Sequence, residues 1–186
     1  MGWRTACETL AAVTAVDDFI ALGSRGWWLY ASLILVGRTC DLLSTWIATP
    51  NLVLEGNPVA RRLGWKFGVP LNLALALGFG VWPLLAISLT TTSLLVAARN
   101  LQSAWLMRSM GELDYRCWIA DRIAEAPRFL PGTCFAGEAI LFGLLGTTLM
   151  VFAQWQLVPF AVGLGIAGYA VAVAMFTSLA LWRARN

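Results

Sequence analysis

The sequence predicts an all-α integral membrane bundle of four transmembrane helices. Three observations carry that expectation: 59% of residues are hydrophobic, only 12% are charged, and the charges gather between long uncharged stretches. With a mean hydropathy of +0.72, a chain of this size has too little polar surface to cover a water-soluble globule. The apolar excess faces lipid, in a single membrane domain over residues 1–186.

Residues 1–25 come first. Leu10, Val13, Val16 and Ile20 recur at helical spacing with acids on the other faces, the pattern of an amphipathic segment lying in the membrane interface. Glu8, Asp17 and Asp18 interrupt any apolar core a signal peptide would need, so this segment is expected to stay attached. The first span covers about 27–49. It opens on an aromatic belt of Trp27, Trp28 and Tyr30, ends before Pro50, and carries only two charges, Arg38 and Asp41.

A polar connection from Asn51 to Gly68 contains Glu55-Gly-Asn57-Pro58 and the cations Arg61, Arg62 and Lys66. The second span is expected over 70–98, starting at Pro70 and kinked at mid-depth by Pro83. Residues 99–131 are the most charged region. There Leu106, Met110, Leu113, Cys117, Ala120 and Ala124 form a helical stripe, and Glu112 stands four residues before Arg116. This reads as a cytoplasmic amphipathic helix, on the membrane surface or docked on the bundle. The third span, 134–155, contains Glu138; the fourth, 158–182, follows after a short turn, so the two are antiparallel neighbours.

Cation counting sets the expected orientation, because positively charged loops stay in the cytoplasm. With four spans, Arg4, Arg25, Arg99, Arg108, Arg116, Arg122, Arg128, Arg183 and Arg185 share one side, against Arg61, Arg62 and Lys66 on the other. Both termini are then cytoplasmic in a cell inner membrane, and the Glu55 turn faces outward.

The net charge of +3 comes almost entirely from arginine, which suits anionic lipid headgroups and not nucleic acid. Histidine is absent, which removes the commonest general base and the commonest zinc and haem ligand. Cys7, Cys40, Cys117 and Cys134 have no metal or redox spacing. No metal site is expected, and no pattern identifies a cofactor.

An ionisable side chain at the bilayer centre costs roughly 2.5–3.5 kcal/mol on insertion scales and defaults to a functional hypothesis. Arg38 and Asp41, three residues apart, share a helical face and can pair; Ser44 and Thr45 extend it. These four residues, with Glu55 and Asn57, are the ligand-binding candidates. The competing reading is structural, with Arg38 and Asp41 neutralising each other and tied to Asn72. Asn72 and Glu138 are secondary candidates.

The run Arg38-Thr-Cys-Asp41-Leu-Leu-Ser44-Thr45, followed by Glu55-Gly-Asn57-Pro58, resembles the Asp…Thr…Glu-x-Asn-Pro pattern of an uncharacterised group of small prokaryotic multi-pass membrane proteins. The resemblance covers about 21 residues; it strengthens the site and implies no activity.

Gly163-Leu-Gly165-Ile-Ala-Gly168 matches a dinucleotide fingerprint only in letters, since it lies inside an apolar span with no acid after it. Ala161, Gly165, Gly168 and Ala172 instead make a small-residue stripe for close helix contact, with Gly143 and Gly146 able to meet it. The same face could receive a membrane partner or a second copy. The leading functional expectation is a non-catalytic protein binding a lipid or small ligand, or an accessory subunit of a membrane complex. The alternatives are a lipid-directed enzyme, with Asp41 or Glu55 as base and Arg38 holding a phosphate, and a proton- or ion-coupled transporter.

Overall fold

A computed structural model describes residues 19–127 and 129–185, with α6 followed as backbone alone beyond residue 179. Residues 1–18 of the expected interfacial segment lie outside the described residues. The described chain is all-helical: α1 Arg25–Ala48, α2 Pro58–Phe79, α3 Pro83–Met110, α4 Glu112–Glu125, α5 Leu130–Phe152 and α6 Leu157–Arg185. Four stretches, α1, α3, α5 and the 157–179 part of α6, are long and apolar enough to cross a membrane.

The second span is where the structure departs from expectation. Residues 70–98 are not one kinked helix, because α2 ends at Phe79 and α3 begins at Pro83. Proline lacks an N–H and clashes with the preceding turn, so it stops a helix and suits the first position of the next. Trp82, just before it, is extended at φ −120° and ψ 97°, as a residue preceding proline must be. A Cβ on Gly80 would lie 2.9 Å from the Ala31 Cβ; glycine lets this reversal press against α1.

Contacts along the chain fix its path. Trp65 Nε1 donates to the Pro50 carbonyl at 2.8 Å, and Trp27 Nε1 donates to the Leu77 carbonyl at 3.1 Å. So α2 runs back alongside α1. Since Gly37 meets Thr90 and Asn100 meets Ser44, α3 then runs parallel to α1. Ser88 donates to the Ala161 carbonyl at 2.9 Å and Thr92 to the Gly165 carbonyl at 2.8 Å, which sets α6 parallel to α3. Gly146 against Gly163 and Ala167 sets α5 antiparallel to α6, as expected.

The turn at residues 49–57, helix α4 and the C-terminal end of α6 therefore share one end of the bundle. The start of α1, the 80–82 reversal and the 153–156 turn share the other. This corrects the expected sidedness, in which the Glu55 turn opposed the 99–131 region and Arg25 stood on the side of Arg185. The cause is α2, whose return path adds a reversal that its three cations hid from hydropathy.

Helix α3 is the centre. Ala86, Thr90, Ser93, Ala97 and Ala104 are buried at steps of three, four and seven, facing the matching stripe Trp27, Ala31, Ile34, Gly37, Ser44 and Ala48 of α1. Its other face meets α6. By contrast α2 buries only Ala76, and no residue of α4 is buried. Gly111, at φ 87°, separates α4 from α3, so residues 99–110 of the expected connection belong to α3.

Candidate functional site

Three groups of polar residues stand out in the bundle. The first centres on Arg38. Its Nη1 donates to Asp41 Oδ2 at 2.7 Å and to Ser93 Oγ at 3.2 Å, while Nε donates to Asn72 Oδ1. Asn72 Nδ2 in turn donates to the Gly68 carbonyl at 2.7 Å. One guanidinium thus joins α1, α2 and α3, and the expected pairing of Arg38 with Asp41 and Asn72 is present. The Asp41 side chain is 14% exposed and that of Arg38 31%.

One turn further along α1, Ser44 Oγ donates to the Asp41 carbonyl at 2.8 Å. Asn100 Nδ2 donates to Ser44 Oγ at 3.2 Å and to Thr45 Oγ1 at 3.1 Å. Both hydroxyls are engaged with the backbone or with Asn100, and neither meets a base. The stripe drawn on one helix is therefore a seam between α1 and α3. Asn100 and Ser93 were missed because their partners lie far away in sequence.

At the turn, Glu55 Oε1 accepts from the Asn57 backbone N–H at 2.7 Å. Asn57 Oδ1 accepts from the Val59 and Ala60 N–H groups at 2.9 and 3.4 Å. Asn57 is thus the N-cap of α2 with Pro58 in its first turn. Its amide oxygen therefore serves the start of the helix, a role the sequence reading did not assign to it.

The second group was not expected. Glu112 does not reach Arg116; its carboxylate closes the 49–53 turn. Oε2 accepts from Thr49 Oγ1 at 2.6 Å and Val53 N–H at 3.1 Å. Oε1 accepts from the Asn51 backbone and side-chain N–H groups, both at 3.0 Å. Desolvation pushes the Glu112 pKa up, but these four hydrogen bonds outweigh it and hold the carboxyl below its ordinary value. An open depression of about 630 Å³ lies here, bordered by Asn51, Val53, Arg108, Glu112 and Asp114. The sequence signal was the acid just after Gly111, a helix break at which α4 can start.

The third group joins α3, α5 and α6. Arg99 Nη1 donates to Glu138 Oε1 at 3.1 Å, and the Tyr169 hydroxyl donates to the same oxygen at 3.0 Å. The cation count places Arg99 in a loop, and Glu138 is a secondary candidate of the third span. The structure pairs them within the bundle.

The small-residue stripe is also reassigned. A Cβ on Gly165 would lie 2.6 Å from the Ser88 carbonyl oxygen, and one on Gly146 equally close to the Gly163 carbonyl oxygen. Ala161 is fully buried. Ala161 and Gly165 thus face α3, with Gly168 beside Thr92, whereas Gly163 and Ala167 receive Gly146 of α5. Gly143 meets Ala170, and Ala172 is half-buried. Ala161 and Gly165 of the stripe are thus used inside the chain, while Gly168 stays exposed.

Among the described residues no group of three or more His, Cys, Asp or Glu side chains is placed to hold a metal ion. Comparison of the chain with protein-family models, with curated proteins and with solved structures finds no match.

Proposed function

We propose that this chain is a non-catalytic inner-membrane protein that binds a lipid or small ligand at the Arg38–Asp41 stripe, with the stripe's end of the bundle in the cytoplasm. The observation that carries the binding reading is Arg38 itself. A guanidinium shared by three helices near mid-span is costly to insert, and a purely structural tie could use neutral groups at lower cost. The hydroxyls along the seam donate to carbonyls or receive Asn100, which supports binding over nucleophilic chemistry.

Orientation rests on charge. Arg61, Arg62, Lys66, Arg108, Arg116 and Arg122 belong to the end that also receives the last turn of α6 with Arg183 and Arg185; among the described residues the other end has Arg25. The positive-inside rule puts the richer end in the cytoplasm. In this reading α2 is a fifth crossing, and the described start of α1 faces outward.

Untargeted lipid and small-molecule analysis of the purified protein tests the binding reading. A species retained by the native chain and depleted in Asp41→Asn is expected; identical empty profiles overturn it. For orientation, a cysteine introduced at Gly56 in a cysteine-free background should react with an impermeant maleimide only from the cytoplasmic side. Labelling from outside restores the four-crossing arrangement.

A further inference from the structure

The hydrogen-bond inventory of Arg38 is unfinished. Nε serves Asn72 and Nη1 serves both Asp41 and Ser93, but among the described residues Nη2 has no acceptor. Each of its two N–H groups can donate one charge-assisted hydrogen bond to an anionic oxygen. The side chain is 31% exposed where that of its partner Asp41 is 14%, so Arg38 is the more open member of the pair. It lies roughly 15 Å along the axis from the Ala48 end of α1, about half the ~30 Å hydrocarbon thickness. A donor there has little water to satisfy it, and leaving it bare is costly.

The wall beside it, α2, is lightly anchored. Helix α2 buries only Ala76 and has a joint at Gly64, where φ is 59° and ψ −170°. Its side-chain ties are the Asn72 and Leu77 hydrogen bonds to α1 and the Trp65 hydrogen bond to the turn after it. Exposed Arg61, Arg62 and Lys66 stand at its entry end, where anionic groups concentrate.

We propose that the free Nη2 edge of Arg38 binds a phosphate oxygen of an anionic phospholipid, which reaches it from the side along α2. This rests on the ligand-binding reading above and names its ligand class. The bound oxyanion completes the fork, and Asp41 keeps the guanidinium aimed while the site is empty.

The test is native mass spectrometry of the full chain released from mixed micelles of phosphatidylglycerol in phosphatidylcholine. The native protein should retain phosphatidylglycerol preferentially. The double variant Arg38→Gln/Asp41→Asn loses one charge of each sign, so its net charge is unchanged, and no uncompensated ion is left if the fold is intact by circular dichroism. Retention in it should fall about tenfold, the effect of one charge-assisted contact. Asn72→Ala, which frees a further donor of Arg38, should retain the lipid at least as well as the native chain.

Equal phosphatidylglycerol retention by the native chain and the folded double variant overturns the proposal. If the native chain holds a different species and no phosphatidylglycerol, the phosphate assignment fails while the ligand-binding reading stands; an empty native profile removes both. Displacement of the lipid by millimolar inorganic phosphate assigns the same chemistry to a soluble anion, and persistence assigns it to the lipid.

Discussion

Helices α2 and α6 both flank the central α3–α1 pair, yet they are held in opposite ways. Helix α6 buries Ala161, Ile166, Tyr169, Ala170 and Val173 and brings glycine backbone against α3 and α5, where dispersion contacts accumulate over the whole interface. Helix α2 buries one alanine and is tied by side-chain hydrogen bonds at Trp65, Asn72 and Leu77. Close packing is rigid and intolerant of added volume. Directional ties over a small contact are weaker, and each can be released separately, which suits a wall that admits a ligand.

The sharpest way to break the comparison is to add volume to the α6 seam. Gly165→Leu would drive a Cβ to 2.6 Å from the Ser88 carbonyl oxygen, and overpacking of this kind costs ~1–3 kcal/mol or more. We expect a large loss of folded protein in detergent thermal-shift assays. The same substitution at Gly78 of α2, where a Cβ meets nothing within 4 Å, should leave stability nearly unchanged. Equal losses at the two glycines would erase the distinction.

Next comes Asp41→Asn, which leaves Arg38 without its counter-charge. Breaking a buried pair costs ~3–5 kcal/mol, and the partial exposure of Arg38 places this case at or below the lower end. Hydrogen exchange should rise in α1 and α2 before α5 and α6. A smaller effect is expected of Asn72→Ala, since a side-chain hydrogen bond in a membrane bundle averages ~0.6 kcal/mol. Faster exchange should be confined to residues 65–79; a change spreading into α6 would show that α2 is not a separable wall.

The smallest effect belongs to the Glu112 clamp and is read by pH. Its carboxyl titrates below the ordinary 4.5 in the folded protein, so the contribution is complete above 4.5 and is lost as pH falls through the lower folded value. Protection at Asn51 and Val53, taken against the intrinsic rate at each pH, should therefore fall in acid, and Glu112→Gln should abolish most of that dependence. A turn that stays protected in acid would assign its order to the backbone alone.

Much of this was legible in the sequence because it depends on local properties. Apolar length gave spans one, three and four, and three-residue spacing gave the Arg38–Asp41 pair. The helix-period stripe over 106–124 reads as one face of one helix, but Gly111 divides it, and Leu113, Cys117, Ala120 and Ala124 are all exposed in α4. The Glu55-Gly-Asn-Pro run was read as a turn and is one, although Asn57 serves there as a cap. What failed was the path of the chain around α2. Arg61, Arg62 and Lys66 made residues 58–69 read as a polar connection, and with the return path of α2 missed, the relative sidedness of the Glu55 turn and the 99–131 region was inverted.

By itself, then, the sequence determined the all-α membrane class and the charged pair inside the first span, because burial in lipid is a matter of composition and helix faces are a matter of period. Only the tertiary structure decided which residues meet across helices: Asn100 with the Ser44 hydroxyl, Glu112 with the 49–53 turn, Glu138 with Arg99, and Gly165 with Ser88. Those pairings depend on the direction in which α2 returns the chain. That direction is fixed by a proline stop and a glycine contact with α1, which acquire their meaning only once the helices are packed.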